Sequence, residues 1–285
     1  MPYYRRLPQF EYLAPTSVGE AISLIDAHKG EARLLAGGTI VLHQMKERVI
    51  ARPYVIGLKK VTGLTGVTSK KEGLTIGSMS LLQDIADSKE VQKSAPLLAF
   101  VCAGLGTPEI RNMGTLGGNV AIRFATSETL PALIALNASA QLLSKKGERV
   151  IPVEELYKEM QSIDLLLAIS LPTSSVKKGY QKFAVRERFD YATCACAVAL
   201  TMDGKTCGHI RIALGGVSLP TMRANKAEEL MKNQKITEAL IAKAAETASE
   251  AGSMGADLMF SAAYKKKVLK VMVERALKEA AEVSS

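Results

Sequence analysis

Two glycine doublets carry the residues best suited to chemistry in this 285-residue chain: Ala36-Gly37-Gly38-Thr39 and Thr115-Leu116-Gly117-Gly118-Asn119. Adjacent glycines admit positive φ and let backbone N–H groups approach a ligand with no Cβ in the way. Successive N–H groups turned into one concavity form an anion nest, which suits a diphosphate. Two such segments far apart in sequence predict a ligand held between two lobes. Either doublet alone reads more readily as an ordinary turn than as a binding loop. Other chemistries are poorly served. His28, His43 and His209 are scattered, with no cysteine or carboxylate at ligand spacing. Cys194-Ala-Cys196 lies in a β-rhythm that puts Cys194, Cys196, Val198 and Leu200 on one face, as small core residues. No four-thiolate iron–sulfur spacing is present, and no metal site is expected. Gly104-Leu-Gly106-Thr-Pro-Glu109 begins like a dinucleotide fingerprint, but it lacks the third glycine and follows a predicted helix instead of a strand. No nucleophile elbow or Walker loop occurs.

The elements that must position the doublets follow from local pattern. Phe10–Leu13 is a predicted strand, and Ser17-Val-Gly-Glu20 is a capping box opening a helix through Ile22 and Ile25 toward Gly30. Leu34–Ala36 reads as a buried strand ending at the first doublet, followed by a short helix with Leu42 and Met45 and a strand over 54–58. This is a βαβαβ-like unit. A second unit holds a strand over 74–77, helices over 80–86, 96–104 and 131–138, and strands over 140–144 and 165–171 stopped by Pro172. Thr173 to Gly179 is the best linker. Strands over 180–185, 194–202 and 210–215 then suggest an antiparallel sheet with a turn at Asp203-Gly204, and helices over 237–251 and 264–283 close the chain.

Length favours two domains or more. With 47% hydrophobic residues and a mean hydropathy of +0.10, a soluble globular protein is expected. No apolar run approaches the roughly 20 residues that cross a bilayer. The first residues, Met1 to Leu7, lack the apolar core of a secretion signal, and four cysteines in a chain this size are no disulfide framework. A cytoplasmic location is expected. The net charge of +9 raises nucleic acid as a partner. The densest run, Lys265-Lys266-Lys267, opens an amphipathic helix with Val268, Val271, Met272 and Leu277 on its expected buried stripe. That is a solvated face, and no nucleic-acid fold signature accompanies it.

The pattern as a whole resembles the flavin-binding medium subunit of molybdenum hydroxylases: the carbon monoxide dehydrogenase, nicotinate dehydrogenase and bacterial xanthine dehydrogenase group. The resemblance runs through Phe10-Glu-Tyr-Leu-x-Pro-x-Ser, Leu35-Ala-Gly-Gly-Thr39 and Met45-Lys46. It is densest in Pro108-Glu-Ile-Arg-Asn-Met-Gly-Thr-Leu-Gly-Gly-Asn119, then Leu130-Pro-Ala-Leu133. It continues in Tyr180-x-Lys182, Arg186, Asp190-Tyr-Ala192, Ala213-Leu-Gly-Gly-Val217 and Arg223-Ala224.

The resemblance implies an α+β fold: a two-subdomain FAD-binding domain of the vanillyl-alcohol-oxidase-like (PCMH) type, then an α+β C-terminal domain with an antiparallel sheet and helices. Boundaries of 1–175 (subdomains about 1–58 and 59–175) and 176–285 are expected. FAD would lie extended between the subdomains. Leu34, Leu35, Ala36, Gly37, Gly38, Thr39, Ile40 and Val41 would wrap its diphosphate, with Thr115, Gly117, Gly118 and Asn119 opposite. Glu128 would stand near the sugar or ribityl hydroxyls, Leu105 and Leu166 would line the adenine and ring pockets, and Lys182 and Tyr191 would approach the isoalloxazine ring. Molybdopterin and [2Fe-2S] clusters would sit on a large and a small partner subunit, and an external acceptor such as NAD⁺ would take the electrons. The alternatives are a self-sufficient flavoenzyme of the same superfamily and an assembly subunit with a decayed flavin site. Ile40, Arg123, Phe124 and Ala125 depart from the family pattern around the ribityl and diphosphate groups.

Overall fold

A computed structural model describes residues 6–173, 175–186, 189–217, 220–252, 254–256 and 258–282. Ser174 of the expected linker and Val283 of the last expected helix lie outside these residues. The first unit comprises β1 (Glu11–Leu13), α1 (Val18–Ala27), β2 (Ala32–Leu35), α2 (Val41–Lys46) and β3 (Tyr54–Gly57). Its three strands form a parallel sheet in the order β1-β3-β2. The Ser17 hydroxyl caps α1 by accepting from the Glu20 N–H at 3.2 Å. The Glu20 carboxylate reaches back one residue further than a standard capping box, accepting from the Thr16 N–H at 2.8 Å. The β2 strand is half-buried instead of fully buried, because one side faces a cleft.

The second unit runs β4 (Val67–Lys70), β5 (Gly73–Gly77), α3 (Leu82–Asp87), α4 (Lys89–Ser94), α5 (Pro96–Gly104), α6 (Pro108–Arg111), α7 (Leu116–Ala121), α8 (Thr129–Ala135), β6 (Ser139–Ser144), β7 (Gly147–Pro152), α9 (Leu156–Glu159) and β8 (Leu165–Pro172). All its strand pairs are antiparallel, in the order β4-β5-β8-β6-β7. The strand latest in sequence, β8, is therefore central. The expected helix over 131–138 is shifted toward the N-terminus, ending where Asn137 takes φ 56°.

The third unit contains β9 (Lys177–Phe183), β10 (Cys194–Asp203), β11 (Thr206–Gly215), β12 (Met222–Arg223), α10 (Asn225–Met231), α11 (Glu238–Ser249) and α12 (Ala262–Ala281). Its antiparallel sheet has the order β12-β11-β10-β9. One face of β10 (Cys194, Cys196, Val198 and Leu200) packs with Leu269, Met272, Val273 and Ala276 of α12. The other face, Ala195, Ala197 and Ala199, joins the core that holds Leu97, Leu98 and Leu133 of α5 and α8. Small side chains there let the helices of the second unit approach the sheet closely. Along α12 the stripe differs from expectation. Val271 is exposed, whereas Lys265 is buried, its Nζ donating to the Gly255 carbonyl at 3.0 Å.

Candidate functional site

A cleft of about 380 Å³ opens where the three units meet, within the usual range for small-molecule sites. All the residues expected at a cofactor site line it, except Leu35 and Lys182. The first doublet forms the turn between β2 and α2, with Gly38 at φ 77°. The second does not form a positive-φ loop. Gly117 and Gly118 lie in the first turn of α7, whose N-cap Thr115 accepts from the Gly118 N–H at 3.0 Å. Glycine is required in these places by close approach. A Cβ on Gly37 would stand 1.9 Å from the Met113 carbonyl oxygen, and one on Gly117 would stand 2.6 Å from the Ser78 Cβ. A Cβ on Gly118 would face Ala36 at 3.5 Å. The two doublets thus meet across one narrow place.

Their backbone N–H groups are not equivalent. In α7 they are already used: Leu116 donates to Ser80, Gly117 to Ser78, Gly118 to its cap and Asn119 to Thr115. By contrast, the N–H groups of Gly37, Gly38, Thr39, Ile40 and Val41 find no acceptor among the described residues. A run of five unmet donors on one turn is the arrangement that satisfies an anion. The amide donors expected from both sides therefore come from one side. The second doublet contributes closeness, and Asn119 contributes a side chain: its Oδ1 accepts from Ser127 at 2.6 Å and Thr129 at 2.5 Å. At Ile40 the free donor is the backbone N–H, which does not depend on the side chain.

From that turn the cleft extends two ways. One end carries Ala32, Leu34, Leu58, Leu165 and Leu166, with Arg33 and Arg123. Arg123 donates to the Tyr157 and Met160 carbonyls at 3.1 and 3.3 Å, so it straps the cleft wall to the segment before β8. The other end carries Leu105, Gly106, Ile110, Glu128 and, from the β9–β10 connection, Arg186, Phe189, Asp190 and Tyr191. Arg111, in the densest motif, donates to the Leu105 and Gly106 carbonyls at 3.3 and 3.2 Å and so fixes that loop.

Glu128 is only 4% exposed, and its carboxylate accepts from Lys182 Nζ at 2.9 Å and from the Tyr180 hydroxyl at 3.2 Å. Burial pushes its pKa up, opposed by Lys182 and the two hydrogen bonds. Lys182 also donates to the Gly104 carbonyl at 3.2 Å and stands behind the cleft, not in its wall. Burial raises the thiols of Cys102 and Cys194 to about 12, so neither is a nucleophile near neutral pH. No group of three potential metal ligands occurs among the described residues.

Two features escaped the sequence reading. Ser78 is 4% exposed, lines the cleft, and its Oγ has no hydrogen-bond partner. Arg33 lines the cleft with no hydrogen-bonded or ion-paired partner among the described residues. A charged residue inside the otherwise apolar run Ala32-Arg-Leu-Leu-Ala36 was the available signal. Five amides, a guanidinium and a hydroxyl without partners among the described residues all fit a diphosphate-bearing dinucleotide such as FAD.

Comparison with known proteins agrees. Residues 8–174 match the family described as the FAD binding domain in molybdopterin dehydrogenase, and residues 179–280 match the CO dehydrogenase flavoprotein C-terminal domain. The carbon monoxide dehydrogenase medium chain of Hydrogenophaga pseudoflava is 31% identical over 280 residues, spanning 96% of this chain and 97% of that one. The glyceraldehyde dehydrogenase medium chain of Sulfolobus acidocaldarius is 29% identical, over 96% and 99%. Among solved structures, carbon monoxide dehydrogenase from H. pseudoflava lacking the Mo-pyranopterin moiety superposes with a TM-score of 0.94 at 32% identity, over 96% and 98%. Quinoline 2-oxidoreductase from Pseudomonas putida 86 gives 0.92 at 28%, over 97% and 98%.

Proposed function

This chain belongs to the FAD-binding medium-subunit family of molybdopterin dehydrogenases, and from that premise we propose that it relays electrons from iron–sulfur clusters on a small partner subunit to an external acceptor, NAD⁺. Substrate oxidation would take place on a molybdopterin-bearing large subunit. When bound, FAD supplies the redox chemistry, since flavins exchange electrons singly or in pairs.

The chain's own residues bind and orient. The amides of Gly37 to Val41 would hold the diphosphate, each charge-assisted hydrogen bond contributing about 1.5–3 kcal/mol. Thr115, Gly117, Gly118 and Asn119 would close on it from α7. Leu34, Ala36 and Leu166 would wall one end, and Leu105 with Tyr191 the other. Leu35 and Lys182 would act from behind the wall, Leu35 through β2 and Lys182 through Glu128. No side-chain acid–base pair is required, because single-electron entry and direct hydride exchange with a nicotinamide need positioning by the chain and not a proton carrier on it.

The observation that carries this reading is the row of five unmet amides in a cleft between three units. The test is direct. Purified full-length chain should show a flavin absorbance spectrum at about one FAD per chain and bleach under anaerobic NADH. A well-folded chain that neither carries nor takes up FAD would refute cofactor binding. Bleaching by dithionite but not by NADH would refute NAD⁺ as acceptor and leave the cofactor assignment standing.

A further inference from the structure

Arg33 projects from β2 into the cleft without a carboxylate partner among the described residues. It is half-buried, and burial, with Arg123 and then Arg52 nearby, pushes its pKa down. Arg123 donates from one guanidinium nitrogen to the neutral carbonyls of Tyr157 and Met160, and Arg52 donates to the Gly30 carbonyl at 2.7 Å. Arg33 and Arg123 therefore line one end of the cleft with Arg52 nearby, and the carboxylate in that wall, Asp164, is already paired with Arg149. A partly desolvated, unpaired guanidinium costs stability unless a ligand brings the missing charge.

We propose that Arg33 is the counter-charge for the adenylate half of the bound dinucleotide, donating to the phosphate on that side. The argument rests on the FAD reading above and deepens it. The amide row of Gly37 to Val41 offers partial charges only, whereas a diphosphate carries two full negative charges. The guanidinium stands four residues before that row, on the end whose apolar walls of Leu34, Leu58 and Leu165 suit a planar base. The opposite end, under Tyr191, already has its charges paired: Lys182 with Glu128, and Arg186 with Asp190.

The experiment is a titration of the full-length chain, stripped of flavin, with FAD, ADP and riboflavin over a range of salt concentrations. Arg33→Gln should weaken FAD and ADP by about 10- to 100-fold and leave riboflavin within about twofold. It should also flatten the salt dependence of FAD binding. Arg33→Lys should restore part of the affinity and the salt dependence. The stripped Arg33→Gln chain should melt at the wild-type temperature or above it, because it loses an unpaired cation and no contact. Equal losses for FAD and riboflavin, an unaltered salt slope, or a variant that fails to fold would each overturn the inference. If the stripped wild-type chain itself takes up no FAD, the cofactor reading fails and not this assignment alone.

Discussion

At the scale of single residues, the buried pair of Glu128 and Lys182 shows how a resemblance and a physical account divide the work. Family likeness placed both near a flavin, and the distances show why both are held so firmly: each is the other's charge partner, with Tyr180 as a third member. Replacing Lys182 with Met leaves a carboxylate in a site that is 4% exposed, at a cost of about 3 kcal/mol near neutral pH. The sign with pH follows from proton binding. Burial raises the folded-state pKa of Glu128 above its unfolded value, so the folded state binds the extra proton between the two. The deficit of Lys182→Met should therefore shrink as pH falls from 7 toward the unfolded carboxylate value, and urea melts at several pH values would measure it. A deficit that grows on acidification would contradict the pairing.

At the scale of elements, the βαβαβ order of the first unit was legible because capping and short continuous apolar runs are local signals, as at Ser17 and along Tyr54–Gly57. The edge strands β4 and β7 were not legible, since Val67-Thr-Ser-Lys70 and Gly147–Pro152 carry few apolar residues and gain order from their neighbours. The second doublet was read as a loop with its amides free, whereas the structure folds it into α7 and packs it against Ser78 and Ala36. Its glycines sit in α7 because Thr115 caps them, a signal present in the Thr-x-x-Gly spacing but masked by the expectation of a turn. The consequences differ between the doublets. Gly37→Ala drives a Cβ toward the Met113 carbonyl at 1.9 Å, which should cost at least about 1–3 kcal/mol and empty the protein of flavin. Gly118→Val meets the Thr115 hydroxyl at 2.9 Å, and loss of that cap costs about 1 kcal/mol. Thermal melts beside flavin content per chain would rank the two; a Gly37→Ala chain with full flavin and an unchanged melt would dismiss the close-approach argument.

At the scale of the whole molecule, one apolar core runs from α5 and α8 through the alanine face of β10, so the second and third units are not separable bodies. The Gly216 N–H donates to the Ala125 carbonyl at 2.7 Å across the same seam, which gives the departing Phe124-Ala125 stretch a structural task. A ligand touching all three units should stabilise them together. FAD at 100 times its dissociation constant should add about 2.7 kcal/mol and raise a single melting transition by a few degrees. Two transitions in calorimetry, with only one moved by FAD, would count against a shared core. The strand order β4-β5-β8-β6-β7 carries a last consequence, for synthesis on the ribosome. Until residues 165–172 emerge, the hairpins β4–β5 and β6–β7 have no middle strand to join them. The amide turn is translated early, yet nascent polypeptide cannot trap its coenzyme before more than half its length has left the exit tunnel.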